Sequence, residues 1–165
     1  SIIDKLEILG QLNSMSHLQV AHLIPGSRFE VFDYLSNPKN LPHLLEPSIE
    51  VEVLTMDPEL KRGVELQFMM TRFGLKQSIR FRIEDMVAGS RLTYRQTEGV
   101  FAAWTHTTRF EEHGEGTLVT DLVDYHVPLG ILGHLADDLI LKADMRRLLE
   151  HRLKRAQEHF EAIKV

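Results

Sequence analysis

One boundary constrains this chain more than any other feature. Near residue 130 the apolar residues stop recurring at every second position and begin recurring at every third or fourth. Before it, Val64, Leu66, Phe68 and Met70 share one phase, and Ile79, Phe81 and Ile83 another, with Arg80, Arg82 and Glu84 between them. Leu92, Tyr94 and Gln96 follow in phase, then Trp104, His106, Thr108 and Phe110. Such alternation predicts strands with one buried and one wetted face, the antiparallel habit. The turn "HGEGT" leads into a last strand, "TLVTDLVDYHV", and closes an uninterrupted five-stranded meander. Beyond the boundary, Leu132, Leu135, Leu139, Leu149, Leu153, Ala156, Phe160 and Ile163 form one stripe, with Ala143 and Met145 filling its gap. This predicts an amphipathic helix of about 30 residues, about 45 Å long.

The first third of the chain adds two strands and two short helices. "HLQVAHLI" (17–24) reads as a strand stopped by Pro25-Gly26. Ser27 with Glu30 three residues on forms a capping box, so "SRFEVFDYLSN" is expected to be a short helix ended by Asn37-Pro38. "PKNLPHLLEP" is a second helical turn between prolines, and "SIEVEVLTM" (48–56) alternates as a strand. The expected class is therefore α+β, with a seven-stranded antiparallel sheet. A sheet of that width curls, one long helix fills its concave side, and the space left between them is where a ligand would sit.

Composition narrows the functional classes. A chain of 165 residues suits one domain with a substantial core. A net charge of −5 argues against binding nucleic-acid backbones. The absence of cysteine removes disulfides and thiolate chemistry and fits a reducing, cytoplasmic setting. No apolar run has the roughly 18 residues of a membrane span, and no signal peptide is visible. The nine histidines show no metal-ligand spacing, so no metal and no cofactor is expected. The glycines of "HGEGT" complete no phosphate loop, and no serine lies in a hydrolase elbow. The basic stretch "RRLLEHRLKR" (146–155), interleaved with acids, reads as the solvated face of the helix.

The order strand, two short helices, six strands, long helix resembles the START-like or Bet v 1-like helix-grip superfamily over residues 17–163. The stretch "GVFAAWTHTTRFEEHGEGTLVTDLVDYHVPLGILG" is similar to a pattern of its polyketide cyclase/dehydrase and coenzyme Q-binding START-type branch, met here by Gly99, Phe101, Trp104, His106, Phe110, Gly116, Thr117, Asp121, Val123, Tyr125, Pro128 and Gly130. The resemblance implies a curved sheet wrapped around the C-terminal helix and a hydrophobic-ligand cavity. It covers a domain at 17–165 and leaves residues 1–16 as an N-terminal appendage.

The last strand poses the sharpest question. Periodicity alone does not choose between the face of Val119, Asp121, Val123, Tyr125 and Val127 and the face of Leu118, Thr120, Leu122, Asp124 and His126. The family pattern turns Asp121 and Tyr125 inward, beside Trp104 and His106 on the neighbouring strand. They then serve as polar anchors for a ligand or as acid and base, unless they are structural, with Asp121 pairing an amide or a histidine and Tyr125 capping the helix end. A desolvated Asp121 without such a partner would have a raised pKa. Phe68, Met70, Phe81, Tyr94, Phe101, Trp104 and Leu139 are expected to line the cavity, where the inward face is both core and wall. The reading is a monomeric or weakly dimeric binder or carrier of a lipid, quinone or polyketide-like molecule; the alternative is an aromatase/cyclase using His106, Asp121 and Tyr125. A protein-interaction module with a vestigial cavity is a third possibility.

Overall fold

The structure is a computed structural model that describes residues 1–6, 15–56, 58–127 and 135–163. Its elements are β1 (Ser16–Ile24), α1 (Arg28–Ser36), a 3₁₀ turn (Pro38–Asn40), α2 (Leu41–Leu44), β2 (Glu50–Val53), β3 (Glu65–Arg72), β4 (Leu75–Val87), β5 (Arg91–Glu98), β6 (Ala103–His113), β7 (Gly116–His126) and α3 (Leu135–Ile163). Residues 2–6 are also helical. All seven strands form one antiparallel sheet in the order β1-β7-β6-β5-β4-β3-β2. The sheet and the 29-residue α3 make the α+β helix-grip arrangement.

Local chemistry sets the element ends. Ser27 Oγ accepts from the Glu30 amide, and the Glu30 carboxylate accepts from the Ser27 amide, so the capping box starts α1. Asn37, placed before Pro38, leaves the helical region and caps the 3₁₀ turn by accepting from the Lys39 amide at 3.1 Å. β2 is shorter than its sequence suggests. After Val53 the Leu54 amide still donates to the Gln67 carbonyl, but the Gln67 amide donates to the Thr55 hydroxyl rather than to a main-chain carbonyl, so a side chain takes over half of the last ladder pair. β2 also pairs with β3, so the meander takes in six strands, β2 to β7, rather than five.

β7 resolves its two faces. Thr117, Val119, Asp121, Val123 and Tyr125 are all fully buried, and the residues between them are only partly covered. The inward phase of Asp121 and Tyr125 is thus found. β4 behaves differently: irregularities at Arg80/Phe81 and Ile83/Asp85 break its register with β5. After the second one the alternation slips, so Ile83 lies opposite Tyr94 but Met86 lies opposite Leu92.

Two apolar clusters hold α3 to the sheet. One gathers Val20, Ile24, Val31, Phe32, Phe110, Val119, Leu153, Ala156 and Phe160 under the C-terminal half of α3. Gly26 belongs to this packing: a Cβ there would stand 2.9 Å from the Phe160 ring, so α3 reaches its seat only because the residue has none. The other cluster gathers Leu18, Val123, Tyr125 and Val127, with Trp104, Leu141, Met145 and Leu149 against it. The α3 backbone comes nearest the sheet at β1.

Leu139 departs from expectation. It is 73% exposed, and Ile140 beside it is exposed as well. Leu141 is the residue that turns inward. Two residues of helix rotate a side chain by about 200°, so a helix that seats Leu141 on the sheet must point Leu139 away from it. Ala143 is likewise exposed, and Met145 alone fills that part of the stripe. The expected bend at Pro128 and Gly130 and the start of the stripe at Leu132 lie outside the described residues.

Candidate ligand-binding site

The inward faces of β4, β5 and β6 bring aromatic residues into contact, because residues in phase on neighbouring strands face one another. Phe81 stands 5.0 Å from Trp104, 5.9 Å from Phe68 and 6.4 Å from Tyr94, ring centre to ring centre. Trp104 meets His106 edge to face at 5.5 Å, and Phe101 meets Tyr125 at 5.7 Å. Phe68, His106, Asp121 and Tyr125 are buried, whereas Met70, Phe81, Tyr94, Phe101 and Trp104 keep part of their surface exposed. Nine of the ten residues expected to form the site therefore lie on or beside one concave surface; Leu139 does not. Burial pushes the Tyr94 phenol up to about 12, against the opposing charge of Arg152.

A polar network sits at the edge of this wall. Asp121 Oδ1 lies 2.8 Å from His106 Nε2 and accepts the Thr108 hydroxyl at 2.7 Å. Asp121 Oδ2 accepts from Arg152 of α3 at 2.6 Å. Both oxygens of a fully buried carboxylate are thus engaged, as burial requires. Burial pushes the Asp121 carboxyl up, but Arg152, His106 and Thr108 together pull harder and hold it at about 2. A raised value is expected only for an Asp121 without a partner; His106 on β6 is that partner, and the guanidinium from α3 adds a second that the expectation does not include.

Arg152 is the member of this network that sequence reasoning missed. It falls in the stretch read as a solvated helix face, yet its side chain is only 15% exposed. A signal was present. Position 152 is three after Leu149 and four before Ala156, hence inside the apolar stripe. Its neighbours do meet solvent: Arg147 pairs with Glu46 and Asp144, and Arg155 with Glu158.

The network gives stability a pH dependence. A carboxyl whose folded value lies below its unfolded value of 3.8 stabilises the fold above that value, and the contribution fades as pH falls toward 2. For Asp121 it is about 2 kcal/mol. Denaturant titrations of the protein and of Asp121→Asn between neutral pH and pH 2 should show the natural protein losing that much more on acidification. Parallel curves would mean that the ion pair is not formed.

Among the described residues no group of three or more histidine and acidic side chains could hold a metal ion. Two clefts lie near α1. One, of about 370 Å³, is lined by Tyr34, Asn40, His43, Arg155, Glu158 and His159. The other, of about 630 Å³, lies between α1 and the β2–β3 loop, with Phe32, Leu60 and Met86 in its lining. Neither includes any of the ten expected site residues.

A curved sheet that grips one long helix and keeps a partly exposed aromatic surface inside the grip defines a helix-grip domain of the START-like, Bet v 1-like type. The chain belongs to the polyketide cyclase/dehydrase and lipid transport family, whose model matches residues 15–161. Solved structures agree in fold. A protein from Thermus thermophilus is 22% identical, with 91% of this chain and 100% of that one covered and a TM-score of 0.68. The di-domain aromatase/cyclase StfQ of the steffimycin biosynthetic pathway is 16% identical, covered over 98% of this chain and 56% of its own, with a TM-score of 0.72. Ara h 8.0201 is 13% identical, with 90% and 99% covered and a TM-score of 0.67. No curated protein sequence matches the chain.

Proposed function

We propose that the protein binds or carries a hydrophobic small molecule, of the lipid, quinone or polyketide-like class, against the aromatic wall between the sheet and α3. One observation carries this reading. Met70 and Phe81 share the inward phase of their strands, yet they stay partly exposed and belong to neither packed cluster. Apolar side chains on a concave face that the protein's own core leaves uncovered are a surface for a guest. His106, at the junction of wall and network, supplies a polar contact for a ligand oxygen, held in orientation by Asp121. The absence of cysteine agrees with a reducing compartment such as the cytoplasm. Among the described residues no helix is long and apolar enough to cross a membrane.

The competing reading is an aromatase/cyclase in which His106 transfers protons, and the His106–Asp121 contact favours it. Asp121, locked in an ion pair and held at about 2, cannot itself carry protons near neutral pH and serves in either reading to orient His106. A carrier needs no proton-transferring group.

Trp104 is the only tryptophan and stands in the wall, so its fluorescence reports occupancy. Titration with a long-chain fatty acid, a short-chain ubiquinone and a polycyclic phenol should give a saturable change with at least one of them. Phe81→Ala should weaken that binding about tenfold through loss of apolar and ring contact. Absence of a saturable response to all three would reject the proposal. Turnover of a polyketide chain that disappears in His106→Gln would favour the enzyme.

A further inference from the structure

The β3–β4 hairpin is built in a way that the core does not require. β4 pairs with β3 from Leu75 onward, but its pairing with β5 begins only at Arg80. The first five residues of β4 therefore run past the end of β5, by about 17 Å at strand spacing. At the tip, Phe73 has φ 52° and Gly74 φ 73°. A two-residue turn with both residues left-handed favours Asn-Gly, and a phenylalanine in its first position is uncommon and strained. Phe73 is also 82% exposed, and Leu75 beside it 76%. The sequence thus accepts a backbone cost in order to hold an aromatic ring in water.

We infer that this tip docks the protein on a lipid bilayer that carries anionic headgroups. Charge selects that partner through Lys76, the one base of this hairpin that keeps no carboxylate beside it among the described residues. Although the chain's net charge is −5, residues 66–83 contain no acid and four bases, Arg72, Lys76, Arg80 and Arg82. Arg80 and Arg82 meet Glu98 and Glu65, but Lys76, next to Leu75, has no carboxylate partner among the described residues. Arg72 covers the Phe73 ring with its guanidinium at 4.7 Å and donates both NH groups to Asp144 of α3, at 2.7 and 2.9 Å. The pair clamps the hairpin to α3, which exposes Leu139 and Ile140 one turn before Asp144. Phe73 and Leu75 fit below the headgroups, with Lys76 at the level of the phosphates. A second copy of the chain fits less well, because a two-fold contact between tips would set Lys76 against Lys76. Docking would bring the sheet–helix space to a membrane source of ligand, and to that extent it rests on the binding reading above.

The test is co-sedimentation with vesicles of phosphatidylcholine alone and of phosphatidylcholine with about one-third phosphatidylserine. The full chain should bind the anionic vesicles, weakly and reversibly, and salt should release it. The double substitution Phe73→Asn with Leu75→Ser should reduce the bound fraction about tenfold or more. Phe73→Asn alone should leave the thermal midpoint unchanged or higher, since asparagine tolerates the left-handed turn. Equal binding to neutral vesicles, or equal binding by the double variant, would overturn the inference. So would a concentration-dependent dimer that Phe73→Asn abolishes. The Trp104 titration runs without vesicles, so failure at the membrane and failure of ligand binding are read separately.

Discussion

Arg152→Met should cost about 3–5 kcal/mol of folding stability, the largest loss expected from a single substitution in this protein. Methionine keeps much of the apolar stem and so isolates the charge. Arg152 donates to a carboxylate with no exposed surface, and it brings a fixed positive charge to the pair. Without it, Asp121 keeps the Thr108 hydroxyl and His106, and a histidine offers a full charge only when protonated. The carboxylate is left desolvated, which raises its pKa above the unfolded value. The pH dependence must then change sign. Acidification removes Asp121's stabilisation from the natural protein, but it should relieve the variant by protonating the stranded carboxyl. Adding Asp121→Asn to Arg152→Met should recover most of the loss, because a buried pair replaced on both sides is often close to neutral. Urea titrations of the two variants at pH 7 and pH 4 test all three statements. A loss below about 1 kcal/mol, with unchanged pH dependence, would show that Arg152 does not pair with Asp121 inside the protein.

Leu153→Ala should destabilise by about 2–5 kcal/mol. Leu153 is 1% exposed and packs in the cluster that joins α1, the sheet and the last turns of α3. Its removal leaves a cavity bounded by the sheet and two helices, which has little freedom to collapse. Two other leucines of the same helix provide the comparison. Leu149, partly buried between the two clusters, should lose an intermediate amount. Leu139, exposed by nearly three-quarters, should lose within about 0.5 kcal/mol. Chemical denaturation of the three alanine variants should rank them 153, 149, 139. Equal losses at 139 and 153 would mean that α3 sits on the sheet in another rotation.

Docking at the membrane and binding at the wall use different parts of the chain, and they make separable demands. The wall needs the phase of β3 to β6, which the core on either side fixes. The tip needs only Phe73, Leu75 and Lys76 on a turn clamped by Arg72 and Asp144. Substitutions at the tip should therefore leave the Trp104 titration unchanged, and substitutions at Phe81 should leave vesicle binding unchanged.

The strands, the capped helix after β1 and the long C-terminal helix were legible in the sequence because each follows from local rules. A period of two marks a half-buried strand, Ser27 with Glu30 marks a helix start, and a period near 3.6 marks a face. The closeness of Asp121 and His106 was legible too, since one short hairpin joins their strands and the phase of each can be read. Three features were decided only in the tertiary structure. The slip in β4 after Ile83 depends on its pairing with β5, and no run of residues announces it. Leu139 reads as core in its own stripe, but the rotation of α3 about its axis is set by what it packs against, and that rotation seats Leu141 instead. Arg152 lies within the apolar stripe while carrying the charge of the polar face, so its residue type, against its position, files it with the solvated residues. Its partner lies 31 residues back, in the middle of a strand. Pattern gives the face a residue shares with its neighbours along an element; only packing between elements decides which charge meets which inside.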